Sequence, residues 1–86
     1  MVYAEKRQFF LDGLRKIEQF TKQSETDFPD PPSLRKFKDS RKKLDKLLQE
    51  TAVWIEENRD IYDINLLTAK MMETEEFCTP LIGPIF

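Results

Sequence analysis

The spacing of apolar side chains between residues 34 and 55 constrains this chain most strongly. They recur at alternating steps of three and four residues, which places them on one face of an α-helix: Leu34, Phe37, Leu44, Leu48, Thr51 and Ile55. Arg41 belongs to the same series, and its aliphatic stem can cover the edge of a core. Ser33 suits the N-cap position, so the pattern predicts a helix over about residues 33–58.

Two shorter segments show the same periodicity. Apolar side chains predict a helix over about residues 2–24 and another over about residues 64–77. Gly13 lies inside the first helix at a cost of ~1 kcal/mol relative to Ala, which either a close helix neighbour or a tolerated defect explains. Pro80 is expected to end the third helix.

The breaks between these segments complete the fold prediction. Pro29, Pro31 and Pro32 disfavour helix between the first two segments. The last residues form an apolar tail that is expected to pack on the helices. With 86 residues the chain is a single domain, 1–86. The predicted fold class is therefore all-α, a small antiparallel three-helix bundle with a packed apolar C-terminal tail.

Charge and cysteine content exclude several classes of function. The net charge is −2, with 14 basic and 16 acidic residues, which lacks the basic excess of a nucleic-acid binder. No apolar run approaches the ~20 residues of a membrane span. The single cysteine allows no internal disulfide, so a reducing compartment is expected. The predicted location is the cytoplasm, and an organellar copy is left open.

The sequence contains few of the residue types and motifs that catalytic sites use. The chain has no His and no glycine-rich phosphate loop, so neither an imidazole base nor a nucleotide cradle is expected. Cys78 lies on the apolar stripe of the third helix, which favours an inert core thiol over a reactive one. The carboxylates are spaced as on solvated helix faces. We expect no enzyme activity, no metal and no cofactor in this chain.

One basic run allows two interpretations. Arg35, Lys36, Lys42 and Lys43 form either a solvated helix face or a patch for an acidic partner. The Phe and Met side chains likewise indicate core positions, although a peptide groove built from them remains open.

Two blocks of the C-terminal half resemble the helical lid of Hsp70 chaperones. The first is Trp54 to Asn58, a Trp followed by an aliphatic residue, an acid, any residue and Asn. The second is Cys78 to Ile82, a Cys-x-Pro-aliphatic-Ile stretch that closes shortly afterwards with Phe86. The blocks occur in the family's order and at its spacing, and the resemblance covers about residues 38–86. The proline-rich loop is longer than is usual in Hsp70s, so the related Hsp110 group is equally open.

The resemblance implies a lid that closes over a separate peptide-binding domain and slows the release of extended client polypeptides. ATP would bind only in a full-length parent, and co-chaperones are further implied partners. The residues expected to matter are structural: Leu44, Leu48, Trp54, Met71 and Cys78 for the bundle, and Leu81, Ile82 and Phe86 for its sealed end. The alternative is a stand-alone helical adaptor or regulator. A homodimer through the apolar tail also remains open.

Overall fold

The computed structural model describes residues 2–86 and contains three α-helices. They are α1 (Tyr3–Thr21), α2 (Pro31–Glu57) and α3 (Ile64–Ile82), with a short 3-10 turn at Glu25–Asp27. Within the described residues there is no strand, and each helix contacts the other two. The predicted all-α three-helix bundle is confirmed.

Helix α1 ends earlier, and helix α2 begins earlier, than the sequence predicts. α1 ends at Thr21 rather than near residue 24, because the Ser24 hydroxyl accepts a hydrogen bond from the Thr26 amide and starts the 3-10 turn. α2 begins at Pro31 rather than Ser33. The side chain of Asp30, not Ser33, caps it by accepting a hydrogen bond from the Ser33 amide at 3.2 Å. Prolines in the first turn lack only amides that have no helical partner, so they fit there.

The third helix continues through Pro80, which was expected to stop it. α3 runs to Ile82, although Pro80 has no amide to donate. The helix recovers at once, because the Gly83 amide donates to the Thr79 carbonyl at 3.0 Å. This additional turn of α3 places Leu81 and Ile82 against the core.

The core consists of two clusters along the bundle. One contains Ile17, Leu44, Cys78 and Ile85, which are at most 2% exposed. The other contains Phe10, Leu67 and Met71. Thr51 lies fully buried in α2. Its hydroxyl is the one buried side-chain polar atom without a hydrogen-bond partner among the described residues.

The C-terminal tail turns back along α1. The turn occurs at Gly83, whose φ of 87° is a backbone conformation that other residues rarely adopt. Beyond it Ile85 is buried, and its carbonyl accepts a hydrogen bond from the Lys16 side chain at 3.2 Å. The ring of Phe86 lies directly over Gly13, so the neighbour that explains this glycine is the tail and not another helix.

The proline-rich connection is fixed to α2 by aromatic and charged contacts. Phe28 stacks on Phe37 with ring centroids 4.4 Å apart. Glu25 in the 3-10 turn pairs with Arg41 at 3.2 Å and with Lys38 at 3.8 Å. Arg41 is half-buried, and its guanidinium lies 5.3 Å from the centre of the Phe37 ring. These contacts hold the connection against the first half of α2.

Candidate interaction surface

An open groove runs beside the first half of α2, where the sequence carries its basic run. Arg35, Lys36 and Lys43 line it together with Asp39. The remaining lining residues are Pro31, Pro32, Ser40, Pro80 and Leu81, and the groove has a volume of about 480 Å³. Three of the four basic residues predicted as a partner patch are thus brought together. Lys42 is exposed but does not line the groove.

The three cations of the groove form no ion pair with a carboxylate of the described residues. Lys38 and Arg41, on another side of the same helix, are paired with Glu25. No carboxylate oxygen of residues 2–86 lies within 4.0 Å of the charged nitrogens of the three groove cations. The surface therefore presents local positive charge on a chain whose net charge is −2.

A smaller apolar pocket adjoins the groove. It has a volume of about 230 Å³, and aromatic rings of α1, the connection and α2 form much of its lining: Phe20, Phe28 and Phe37. Lys36, Ser40 and Leu81 line both cavities, so the two are adjacent. Because Leu81 belongs to the extra turn of α3 beyond Pro80, that turn supplies one of the side chains they share.

The opposite end of the bundle exposes apolar side chains. Tyr62 and Ile61 in the connection before α3 are 74% and 45% exposed, and Leu66 in the first turn of α3 is 39% exposed. Tyr3 meets Tyr62 edge to face and donates a hydrogen bond to the Ile61 carbonyl at 3.2 Å. The cavity at this end, lined by residues that include Tyr3, Asn58 and Arg59, has a volume of only about 10 Å³.

The residues expected to be structural lie in or against the core. Leu44 and Cys78 are fully buried and Met71 is 7% exposed. The others are partly buried and pack against the two clusters: Leu48, Trp54, Leu81, Ile82 and Phe86. Met72, the neighbour of Met71, is 58% exposed.

Cys78 is a free cysteine buried in α3. Burial raises the pKa of the Cys78 thiol from 9.0 to about 11, which keeps it protonated and unreactive at neutral pH. In the described part of the chain, no group of three or more metal-type side chains converges. None of the three helices is both long and apolar enough to cross a membrane.

Sequence reasoning identified the cations but missed the shape of the site. Pro80 and Leu81 form a wall of the groove, although they follow its three cations by more than thirty residues in the sequence. Pro31 and Pro32, expected in a loop, are the first turn of α2 and form the groove's end. The sequence signal available was the unusual density of apolar residues after Pro80.

Comparison with protein-family models, curated proteins and solved structures finds no match to this chain.

Proposed function

We propose that this chain is the helical lid of an Hsp70-type chaperone, which gates the release of extended client polypeptides from a peptide-binding domain. The proposal rests on the resemblance of the Trp54 and Cys78 blocks to that family. ATP would act from a separate domain of the parent protein. The proposed compartment is the cytoplasm, where a free core thiol such as Cys78 stays reduced.

One observation supports a gating role. The two blocks pack on the same side chain of α1, because the rings of Trp54 and Phe86 lie 6.4 Å and 6.0 Å from the ring of Phe10. Helix α2, helix α1 and the tail are therefore tied at one point. A gate must move as one body to slow ligand release, and a bundle joined in this way is suited to it.

A graft tests the proposal. Residues 1–86 replace the lid of a well-behaved Hsp70, and the dissociation rate of a fluorescent client peptide is measured with ADP and with ATP. The controls are a lidless protein and a graft of an unrelated three-helix bundle of equal length. We expect release with ADP to be slower than in both controls and to accelerate on adding ATP, because a lid acts mainly on the off-rate.

The graft experiment can also contradict the lid proposal. If the graft is folded by circular dichroism yet releases peptide as fast as the lidless protein, the lid proposal is wrong. The alternative, a free-standing helical adaptor, then becomes the leading hypothesis, because an adaptor binds its partner without an attached peptide-binding domain.

A further inference from the structure

The basic groove beside α2 has two properties that a solvated helix face does not need. It is concave, because α2 and the end of α3 form its two sides. It also lies next to the apolar pocket lined by Phe28 and Phe37, with which it shares Lys36, Ser40 and Leu81. A cavity with an apolar section and a few charged groups is typical of a binding site.

The charges of the groove specify the chemistry of its occupant. Arg35, Lys36 and Lys43 form no ion pair among the described residues, which is also true of Lys42 and Lys46 on the same helix. Asp39, within the groove, is the one acidic residue among its lining. The surplus of positive charge favours an acidic ligand.

The dimensions favour a peptide. The cations at 35 and 43 are separated by roughly 12 Å along the helix at ~1.5 Å per residue. An extended peptide covers that length with roughly four residues at ~3.3 Å each. The adjoining pocket of about 230 Å³ is lined by aromatic rings and suits one bulky apolar side chain.

We propose that this groove docks an acidic peptide segment of a partner protein, with one bulky apolar side chain in the Phe28–Phe37 pocket and its carboxylates on Arg35, Lys36 and Lys43. The site is separate from client gating and does not depend on it. We assign no ligand to the exposed apolar end near Tyr62, because nothing there selects one ligand over another.

The test uses the 86-residue chain and a fluorescein-labelled heptapeptide, Gly-Phe-Glu-Asp-Glu-Asp-Gly, together with its reversed sequence. Binding is followed by fluorescence anisotropy and by amide shifts in ¹⁵N NMR spectra. The expected result is saturable binding of at least one of the two peptides, with shifts at residues 31–43 and 80–81. Raising the salt concentration should weaken it. Replacing the peptide's Phe by Ala should weaken it as well.

Two neighbouring substitutions separate the groove from general electrostatics. Lys43→Glu and Lys42→Glu change net charge equally on the same exposed stretch of α2, but only residue 43 lines the groove. We expect Lys43→Glu to raise Kd about tenfold, since it turns an attraction at close range into a repulsion, and Lys42→Glu to raise it less than about twofold.

Several outcomes overturn the proposal. They are no binding of either peptide at ~1 mM, equal loss in the two variants, or amide shifts confined to the Tyr62 end. Tighter binding of a short single-stranded oligonucleotide than of the peptide would assign the groove to nucleic acid. Concentration-dependent dimerisation that Lys43→Glu abolishes would assign it to a second copy of the chain. The graft experiment on client release is unaffected by any of these results.

Discussion

The contact between Gly13 and Phe86 predicts opposite effects of Gly13→Ala on the free energy of unfolding. The substitution should destabilise the wild-type protein and stabilise a variant that lacks the Phe86 ring. A Cβ atom on Gly13 would lie 2.8 Å from Cδ1 of the Phe86 ring and nearer still to Cε1. Non-bonded carbon atoms prefer separations of ~3.5–4.0 Å. Gly13→Ala therefore forces the ring off α1.

The magnitude follows from two opposed terms. Displacing the ring removes its burial and its contacts with Phe9 and Phe10, at 5.5 Å and 6.0 Å between centroids, which is worth ~2 kcal/mol. Ala gains ~1 kcal/mol over Gly in a helix interior. Gly13→Ala should then destabilise the wild-type protein by about 1 kcal/mol. In a Phe86→Ala background it should stabilise the protein by about 1 kcal/mol, because only the helix term remains.

The assay is a double-mutant cycle by urea denaturation, followed by circular dichroism of the four proteins. The expected coupling free energy is ~2 kcal/mol. Gln19→Ala, an exposed change on the same helix, serves as the control and should have the same small effect in both backgrounds. If Gly13→Ala has the same sign with and without the Phe86 ring, the reasoning is refuted and Gly13 is only a tolerated defect.

Three further predictions concern single positions. Thr51→Val should stabilise the protein by about 1 kcal/mol in the same urea assay, because it removes a buried hydroxyl that has no partner; a loss of stability would mean that the hydroxyl is satisfied. Asp30→Ala should destabilise it by ~1 kcal/mol through loss of the α2 cap, whereas Ser33→Ala should cost less; a larger effect at Ser33 would restore Ser33 as the cap. Burial raises the pKa of Cys78 to about 11, so the thiol's contribution to stability is complete below pH 9.0 and is lost as pH rises towards 11. The difference in unfolding free energy between wild type and Cys78→Ala should accordingly narrow between pH 8 and pH 10.5, and a constant difference would contradict the shift.

The helices were predictable because their signal is local. Helix geometry alone predicts a stripe of Ile64, Leu67, Met71, Thr74 and Cys78. α3 buries all of them except Ile64, which is partly exposed in its first turn. The end at Asn58 is marked by a residue type that commonly terminates helices, and Asn58 is the C-cap of α2.

Two helix ends differ from the prediction, the start of α2 for a local reason and the end of α3 for a tertiary one. Asp30 and Ser33 are both good caps by type, and only the position of Pro31 in the first turn decides between them. Pro80 is a helix breaker by type, but burial of Leu81 and Ile82 outweighs the one missing hydrogen bond.

The basic residues of the candidate site were predictable from the sequence, but its shape was not, because the shape depends on tertiary contacts. The basic run is visible in the sequence, yet the difference between Lys42 and Lys43 depends on where the end of α3 lies. Neighbouring residues of a helix point about 100° apart, so a charge count along the chain does not separate a groove from the face beside it.

The path of the tail also bears on the order of folding. The hydrogen bond from Lys16 to Ile85 joins residues that are 69 positions apart in the sequence, so it requires one of the largest loop closures in the chain. Contacts within the α1–α2 pair, such as the edge-to-face pair of Phe20 and Phe37, join much nearer residues. The helices should therefore assemble first and the tail should dock last. Until it docks, Gly13 and the part of Phe10 that faces Phe86 stay uncovered, and this exposed apolar surface makes a newly made chain prone to aggregate.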